Sequence, residues 1–274
     1  MLLAHAIGCD RTWLYAHPEE QLREVWWIHY GRYLHERIQG KPTQYITGRQ
    51  EFYGREFRVT SDVLIPRPET EHVIEVALER LGVGSDAGSP RRKDELRIAD
   101  VGTGSGCIAI ALALEFPAAR VTATDMSAPA LEVARRNAAR HNFESRIDFI
   151  ECNLLSAILH QSPVTSYQSP LFDLIASNPP YIGHWEAATL PREVREHEPA
   201  LALFGGETGT EIYPPLIQQA AALLKPGGML VLELGHTSAD YVSHLLRAPV
   251  WGGLTITNDL AGIPRVASAQ RKTN

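Results

Sequence analysis

An α/β architecture built on a mostly parallel, doubly wound sheet is predicted for this chain of 274 residues, and three observations predict it. From Leu96 onward, short apolar runs of strand length alternate with longer runs of helix length, the pattern of a parallel sheet covered on both faces. A glycine turn, Gly102-Thr103-Gly104-Ser105-Gly106, joins one strand directly to a helix. Asn178-Pro179-Pro180-Tyr181 closes another strand. In such sheets ligands bind beyond the carboxyl ends of the strands, which is where both motifs fall.

Residues 1–40 read as helical. Leu22, Val25, Trp26, Tyr30, Tyr33, Leu34 and Ile38 recur at three- and four-residue steps and are expected to form the apolar face and core of a small helical domain. Gly40-Lys41-Pro42 ends it. Gln44 to Gly48 and Phe52 to Val59 read as the arms of a short hairpin. The expected division is therefore a helical domain over 1–42, a hairpin linker over 43–62 and the α/β domain over 63–274. Pro68 suits the first turn of a helix and Glu69 and Glu71 its positive end; this helix runs to about Leu81. Gly82 to Asp94 is rich in Gly, Ser and Pro without periodicity, and reads as a loop. Strands are expected at 97–101, 120–125, 147–152, 172–177, 229–234, 254–258 and 265–269, and helices at 106–116, 128–141, 208–224 and 238–247.

Composition narrows the functional classes. Apolar residues make up 44%, enough for a sizeable core. No uninterrupted apolar run reaches about 18 residues, which argues against a membrane span. Met1-Leu2-Leu3-Ala4 lacks a basic leader and cleavage site, so no secretory signal is expected. Cys9, Cys107 and Cys152 are widely spaced without metal-ligand spacing, so a reduced cytoplasmic protein with no metal is expected. The net charge of −6 carries no basic stripe of the kind that grips nucleic acid through phosphates. Arg91-Arg92-Lys93 is the one basic cluster, and it falls in the loop.

The motifs carry the chemistry. Glycines allow a backbone to approach a ligand closely, and a helix start offers free N–H groups. Asp125 ends the next strand, at a distance along the chain suited to receive ribose hydroxyls. Cys107 stands where a dinucleotide fingerprint has its last glycine, which lowers the dinucleotide reading. Asp100 lies under the turn, either as structural support or as part of the site. At the other motif, two consecutive prolines remove backbone donors and stop the strand. Asn178 is then held at a rigid end, offering one acceptor and two donors, and Pro179 still offers its carbonyl. Such a group can grip a planar –NH2 group, with Tyr181 as a face to pack against it.

Glycine turn, acid and Asn-Pro-Pro-Tyr in this order resemble S-adenosylmethionine-dependent methyltransferases acting on amino groups conjugated to planar systems. The narrower resemblance, over almost the whole chain, is to the release-factor glutamine methyltransferases. It is carried by Glu51-Phe52-Tyr53-Gly54, Leu64-Ile65-Pro66-Arg67-Pro68-Glu69-Thr70-Glu71, Ser177 to Ile182, Glu198-Pro199, Gly205-Gly206 and Lys225-Pro226-Gly227-Gly228. It implies the Rossmann-like methyltransferase fold, S-adenosylmethionine as donor and S-adenosylhomocysteine as product. The implied substrate is the side-chain amide of the glutamine in the Gly-Gly-Gln motif of peptide chain release factors, and the implied partner is that protein rather than nucleic acid or membrane. A monomer is expected. Gly102, Thr103, Gly104, Ser105, Gly106, Asp125, Asn153, Leu154 and Asn178 would hold the donor. Asn178 and the Pro179 carbonyl would accept the two N–H bonds of the amide, with Pro180, Tyr181 and Arg67 also on the substrate. The Leu64–Thr70 block would line the entrance, with Arg67 free for the partner or paired to Glu69 or Glu71. Glu198-Pro199 and Gly205-Gly206 would lie over the mouth.

Two departures stand out. Asn153 replaces the family's usual Asp, though its carbonyl can still accept from the adenine amino group. Family members also carry another helix before the segment that opens this chain, so either a shortened helical domain or an artificial start is expected, with release-factor affinity the property affected. The rival readings are an amino methyltransferase for adenine in DNA or RNA, a ribosomal-protein glutamine methyltransferase, and a non-catalytic adaptor on the same fold.

Overall fold

The computed structural model describes residues 1–82, 95–160 and 171–273. The expected loop beyond Gly82 and most of the 156–170 stretch lie outside them. Four short helices come first: α1 (Leu2–Ile7), α2 (Arg11–Ala16), α3 (Glu24–Ile38) and α4 (Thr43–Thr47). The Asp10 side chain caps α2 by accepting from Trp13 N at 2.7 Å. A hairpin follows, β1 (Arg49–Phe52) and β2 (Arg55–Arg58), paired antiparallel.

Two expectations for this region are corrected. Gln44 to Gly48 is not a hairpin arm: Pro42 starts a helical turn there and Gly48 closes it in the left-handed region. Packing decides the matter, because helical geometry buries Tyr45 and Ile46 together and lets Tyr45 Oη donate to Val63 O at 2.6 Å. The second correction concerns α3, which has no buried residue. Its half-buried stripe runs through Trp26, His29, Tyr30, Tyr33 and Arg37, with the Tyr33 ring 5.1 Å from that of His5 on α1. Val25, Leu34 and Ile38 turn off that stripe and are exposed.

A 3₁₀ turn (Pro68–Thr70) leads into α5 (Glu71–Arg80). The alternating region then follows as β3 (Arg97–Val101), α6 (Cys107–Glu115), β4 (Arg120–Asp125), α7 (Ala128–Arg140), β5 (Ile147–Glu151), α8 (Ser156–His160), β6 (Phe172–Ser177) and β7 (Ile182–Gly183). After a 3₁₀ segment come α9 (Arg192–His197), α10 (Ala200–Leu203), β8 (Phe204–Gly206), α11 (Tyr213–Leu223), β9 (Leu224–Glu233), α12 (Ala239–Leu245), β10 (Trp251–Asn258) and β11 (Pro264–Arg271). The seven predicted strands are those of the main sheet. The helix expected from 208 begins only at Tyr213, after a turn that Glu211 organises by accepting from Thr208 N and Thr210 N.

The sheet order is β10-β11-β9-β6-β3-β4-β5, with β11 antiparallel to both its neighbours. Alternation along each strand feeds two cores. Ile98, Val121, Leu174 and Val231 pack with α5 and α6 on one face. Ala99, Ile175, Leu230 and Leu232 pack with α11 and α12 on the other. A third cluster joins Tyr45, Val63 and Ile65 to Ala130 and Val133 of α7, seating the hairpin region on the sheet domain. The chain moves outward from β3 to β4 and β5, then returns to place β6 on the other side of β3, so the order reverses between β3 and β6. Ligands collect at such a reversal.

Candidate active site

Parallel register puts Val101 beside Ser177 at the reversal, and Ser177 Oγ donates to Val101 O at 2.7 Å. The residues that follow each strand therefore meet: a Cβ on Gly102 would stand 3.9 Å from Asn178 O. Above them opens a cleft of about 980 Å³, counted with the open solvent at its mouth. Gly102, Thr103, Gly104, Ser105, Asp125, Asn153, Leu154, Asn178 and Pro180 line it, together with Leu64, Pro66, Thr70 and Pro199. Most of the residues that the sequence assigned to a donor site thus share one space. Gly106 sits beneath, facing Ala134 of α7.

The glycine turn is held from below. Gly102 N and Thr103 N both donate to Thr124 O, at 2.8 and 2.9 Å, Gly106 N donates to Thr103 O, and Gly104 N donates to Asp125 Oδ2 at 2.9 Å. The end of β4 thus takes the N–H groups of Gly102, Thr103 and Gly104, while Gly106 N is spent on Thr103 O. A turn so braced suits a ligand held by shape and ribose contacts. Asp100 is fully buried, and its Oδ2 accepts from Thr103 Oγ1 at 2.6 Å and from Ala109 N at 3.0 Å. It braces the turn and the first turn of α6; burial pushes its carboxyl up to about 7. The Cys107 thiol is likewise buried and pushed up to about 12, so it is not a nucleophile.

Asp125 uses one lone pair of each oxygen on the backbone, Oδ2 on Gly104 N and Oδ1 on Ser127 N at 2.9 Å. A carboxylate has about four acceptor sites, so two remain for the cleft. Burial raises its pKa, and the backbone donors oppose that. Asn153 is exposed and Leu154 adopts a positive φ of 54°, in a turn pinned where Leu155 N donates to Gln219 Oε1 at 2.8 Å.

At the end of β6, Asn178 Nδ2 donates to Thr70 Oγ1 at 3.0 Å, which leaves Oδ1 as the free acceptor. Pro179 is buried and Pro180 half-buried. The Tyr181 ring is not among the residues lining the cleft, which corrects its reading as a free packing face. Its hydroxyl donates to Glu233 Oε1 at 3.2 Å, and a Cβ on Gly235 would come within 3.0 Å of its ring. A Cβ there would crowd the ring, and the glycine leaves it room. Burial and Glu233 raise the Tyr181 pKa, so this hydroxyl stays protonated and donates. Gly205-Gly206 lies in β8, whose Phe204 and Gly206 pair with Ile182 and Gly183 of β7, so this dipeptide braces the motif itself. A Cβ on Gly205 would stand 2.3 Å from Pro180 O.

Arg67 is neither free nor paired to Glu69 or Glu71. Its guanidinium pairs with Glu198, whose side chain is 1% exposed and also accepts from Ile65 N at 3.2 Å. Glu71 Oε1 is engaged by Tyr53 N at 2.8 Å. The carboxylate of Glu198 thus clasps the Leu64–Thr70 block to the turn before α10, and Pro199 reaches the cleft. The sequence placed Thr70 only within the entrance block, and Glu233 went unassigned. Glu233 did leave a signal, an acid inside the apolar run from Met229 to Leu234. Among the described residues no cluster of His, Cys, Asp and Glu could hold a metal, and no helix is long and apolar enough to cross a membrane.

Comparison with known proteins places this geometry. Residues 1–48 match the family model of the PrmC N-terminal domain, and residues 92–249 match that of a methyltransferase domain. The release factor glutamine methyltransferase of Koribacter versatilis (strain Ellin345) is 44% identical over 276 residues, covering 100% of this chain and 90% of the relative. That of Chlorobaculum tepidum is 49% identical over 247 residues, covering 90% of this chain and 80% of the relative. Among solved structures, the Thermus thermophilus 16S rRNA N2 G1207 methyltransferase in complex with AdoMet and guanosine shares the fold at a TM-score of 0.54 and 17% identity, covering 82% of this chain and 50% of that one. The chain has the fold of a methyltransferase, and at these identities over these lengths it belongs to the release factor glutamine methyltransferase family.

Proposed function

We propose that this enzyme transfers a methyl group from S-adenosylmethionine to the side-chain amide nitrogen of the glutamine in the Gly-Gly-Gln motif of peptide chain release factors, and so modulates translation termination. The observation that carries the reading is the Asn178 carboxamide, held with its acceptor oxygen free at the wall of the cleft. When bound, the donor supplies a methyl on a sulfonium, and the sulfur leaves with the bonding pair as S-adenosylhomocysteine. Gly102–Ser105 would shape the floor beneath it, Asp125 would accept from its ribose, and Asn153 and Leu154 would flank its adenine.

The residues must then deal with a poor nucleophile, since an amide nitrogen delocalises its lone pair into the carbonyl. Asn178 Oδ1 and the Pro179 carbonyl accept its two N–H bonds and turn the nitrogen toward the methyl. Positioning of this kind can contribute ~7–11 kcal/mol. No side chain is assigned as a base, because the proton can leave the nitrogen after the methyl arrives. Tyr181 acts by anchoring the motif to β9, and Arg67 by holding the entrance block through Glu198.

In this reading residues 1–42 recognise the protein substrate, residues 43–62 join them to the rest, and residues 63–274 carry the chemistry. The enzyme works as a monomer in the cytoplasm, where its substrate takes part in translation. Mass spectrometry of a release factor incubated with enzyme and donor tests the proposal. One added methylene on the Gly-Gly-Gln glutamine is expected; label entering DNA or RNA instead would defeat it.

A further inference from the structure

Behind Asn178 stand two buried polar side chains that the reaction as described does not use. Thr70, 2% exposed, accepts from Asn178 Nδ2 at 3.0 Å. Glu233, 1% exposed at the end of β9, accepts from the Tyr181 hydroxyl through Oε1, while its Oε2 has no hydrogen-bond partner among the described residues. The Thr70 hydroxyl neighbours this carboxylate and holds its pKa down against burial, although the pair stops short of full hydrogen-bond geometry. Burial prevails and pushes the Glu233 carboxyl up to about 7.

We propose that the Thr70 hydroxyl, backed by the Glu233 carboxyl group, is the positioning device that fixes which end of the Asn178 carboxamide faces the substrate. An asparagine side chain has two ends of almost equal shape and opposite hydrogen-bonding character. A hydroxyl has one hydrogen and two lone pairs. With its hydrogen drawn toward the acid, Thr70 turns only lone pairs to Asn178, so it receives Nδ2 and rejects Oδ1. Oδ1 is then the end presented to the cleft. A substrate amide nitrogen awaiting methylation presents N–H hydrogens, and a flipped Asn178 would set donors against donors. The same acid fixes the far end of the motif through Tyr181, so one buried group holds both sides of the Asn-Pro-Pro-Tyr segment.

This inference rests on Asn178 gripping the substrate amide as proposed above. The test measures kcat and KM of the full chain with a release factor, together with S-adenosylmethionine affinity by calorimetry and melting temperature. The variants are Asn178→Ala, Thr70→Val, Thr70→Ser, Glu233→Leu and Glu233→Gln. Thr70→Val is isosteric and should lower kcat by about ten- to a hundredfold, the cost of an opposed buried donor, with donor affinity and melting temperature close to the parent's. Thr70→Ser should restore most of the rate. Glu233→Leu should lose rate as Thr70→Val does, and Glu233→Gln, which keeps an acceptor, should retain most of it. If Asn178→Ala is inactive while Thr70→Val turns over like the parent, or loses rate only in step with stability or donor affinity, the positioning role is wrong and the amide grip survives. Turnover by Asn178→Ala at the parental rate removes the grip itself, and the positioning role with it.

Discussion

At the scale of single residues, the site separates binding from chemistry. Asn178 faces the cleft with one acceptor and makes no contact that the glycine turn depends on. Asn178→Ala should therefore lower kcat by about a hundred- to a thousandfold, the usual loss for one polar group acting on the reacting centre. Donor affinity measured by calorimetry should fall far less than kcat does. Asp125 predicts the reverse split. Both its oxygens already accept backbone N–H groups, from Gly104 and Ser127. Asp125→Asn must set its NH2 against one of those donors while also losing charge toward the ribose. Donor affinity should fall about ten- to a hundredfold, following ~1.5–3 kcal/mol for hydrogen bonds to a charged group. Calorimetry would read that loss directly, and an unchanged affinity would remove Asp125 from the donor site.

At the scale of elements, short pieces of backbone hold the motif against the sheet. Gly205 in β8 packs so closely on Pro180 that any Cβ would collide with its carbonyl at 2.3 Å. Gly205→Ala should push the Pro179-Pro180 segment out of place, lowering kcat at least tenfold and the melting temperature by several degrees. Gly31 is the matching control, being exposed in α3 with open space around its Cβ position. Gly31→Ala should raise stability by about 0.5–1 kcal/mol without lowering kcat, since alanine is the better helix former. Elements of this kind were the least legible in the sequence. Apolar runs located every strand of the main sheet to within a few residues, most plainly in the inner strands β3, β6 and β9, which bury both faces. Periodicity could not tell that Gln44–Gly48 turns helically, which the burial of Tyr45 and Ile46 decides, Tyr45 packing against the sheet domain. Nor could it tell that Val25, Leu34 and Ile38 of α3 stay exposed. The Arg67–Glu198 pair joins positions far apart in the chain, and no local pattern announces such a partner.

For the whole molecule, folding encloses two acids that hydrogen bonds only partly satisfy, and stability should carry their mark. Asp100 meets Thr103, Ala109 N and, at longer range, Asp125; Glu233 meets Tyr181, Thr70, Arg265 and Glu69. Burial wins in both, and each carboxyl is pushed up to about 7. Unfolded, the same groups titrate near 4. Between about pH 4 and pH 7 the native state therefore holds protons that the unfolded chain has released. Their contribution to stability is complete below about pH 4 and is lost as pH rises through about 7, with a slope of up to ~1.4 kcal/mol per pH unit for each group. Amides keep the one acceptor oxygen that each acid is seen to use. Asp100 accepts both of its bonds on Oδ2 and leaves Oδ1 without a partner among the described residues, and Glu233 likewise uses only Oε1. The double variant Asp100→Asn, Glu233→Gln should thus show a melting temperature that falls less between pH 5 and pH 8 than the parent's. Burial lowers the pKa of His5 and His141, which act in the opposite sense, but both proteins keep these residues and their effect cancels in the difference. Parallel curves for parent and variant across that range would mean that neither acid is held protonated by the fold.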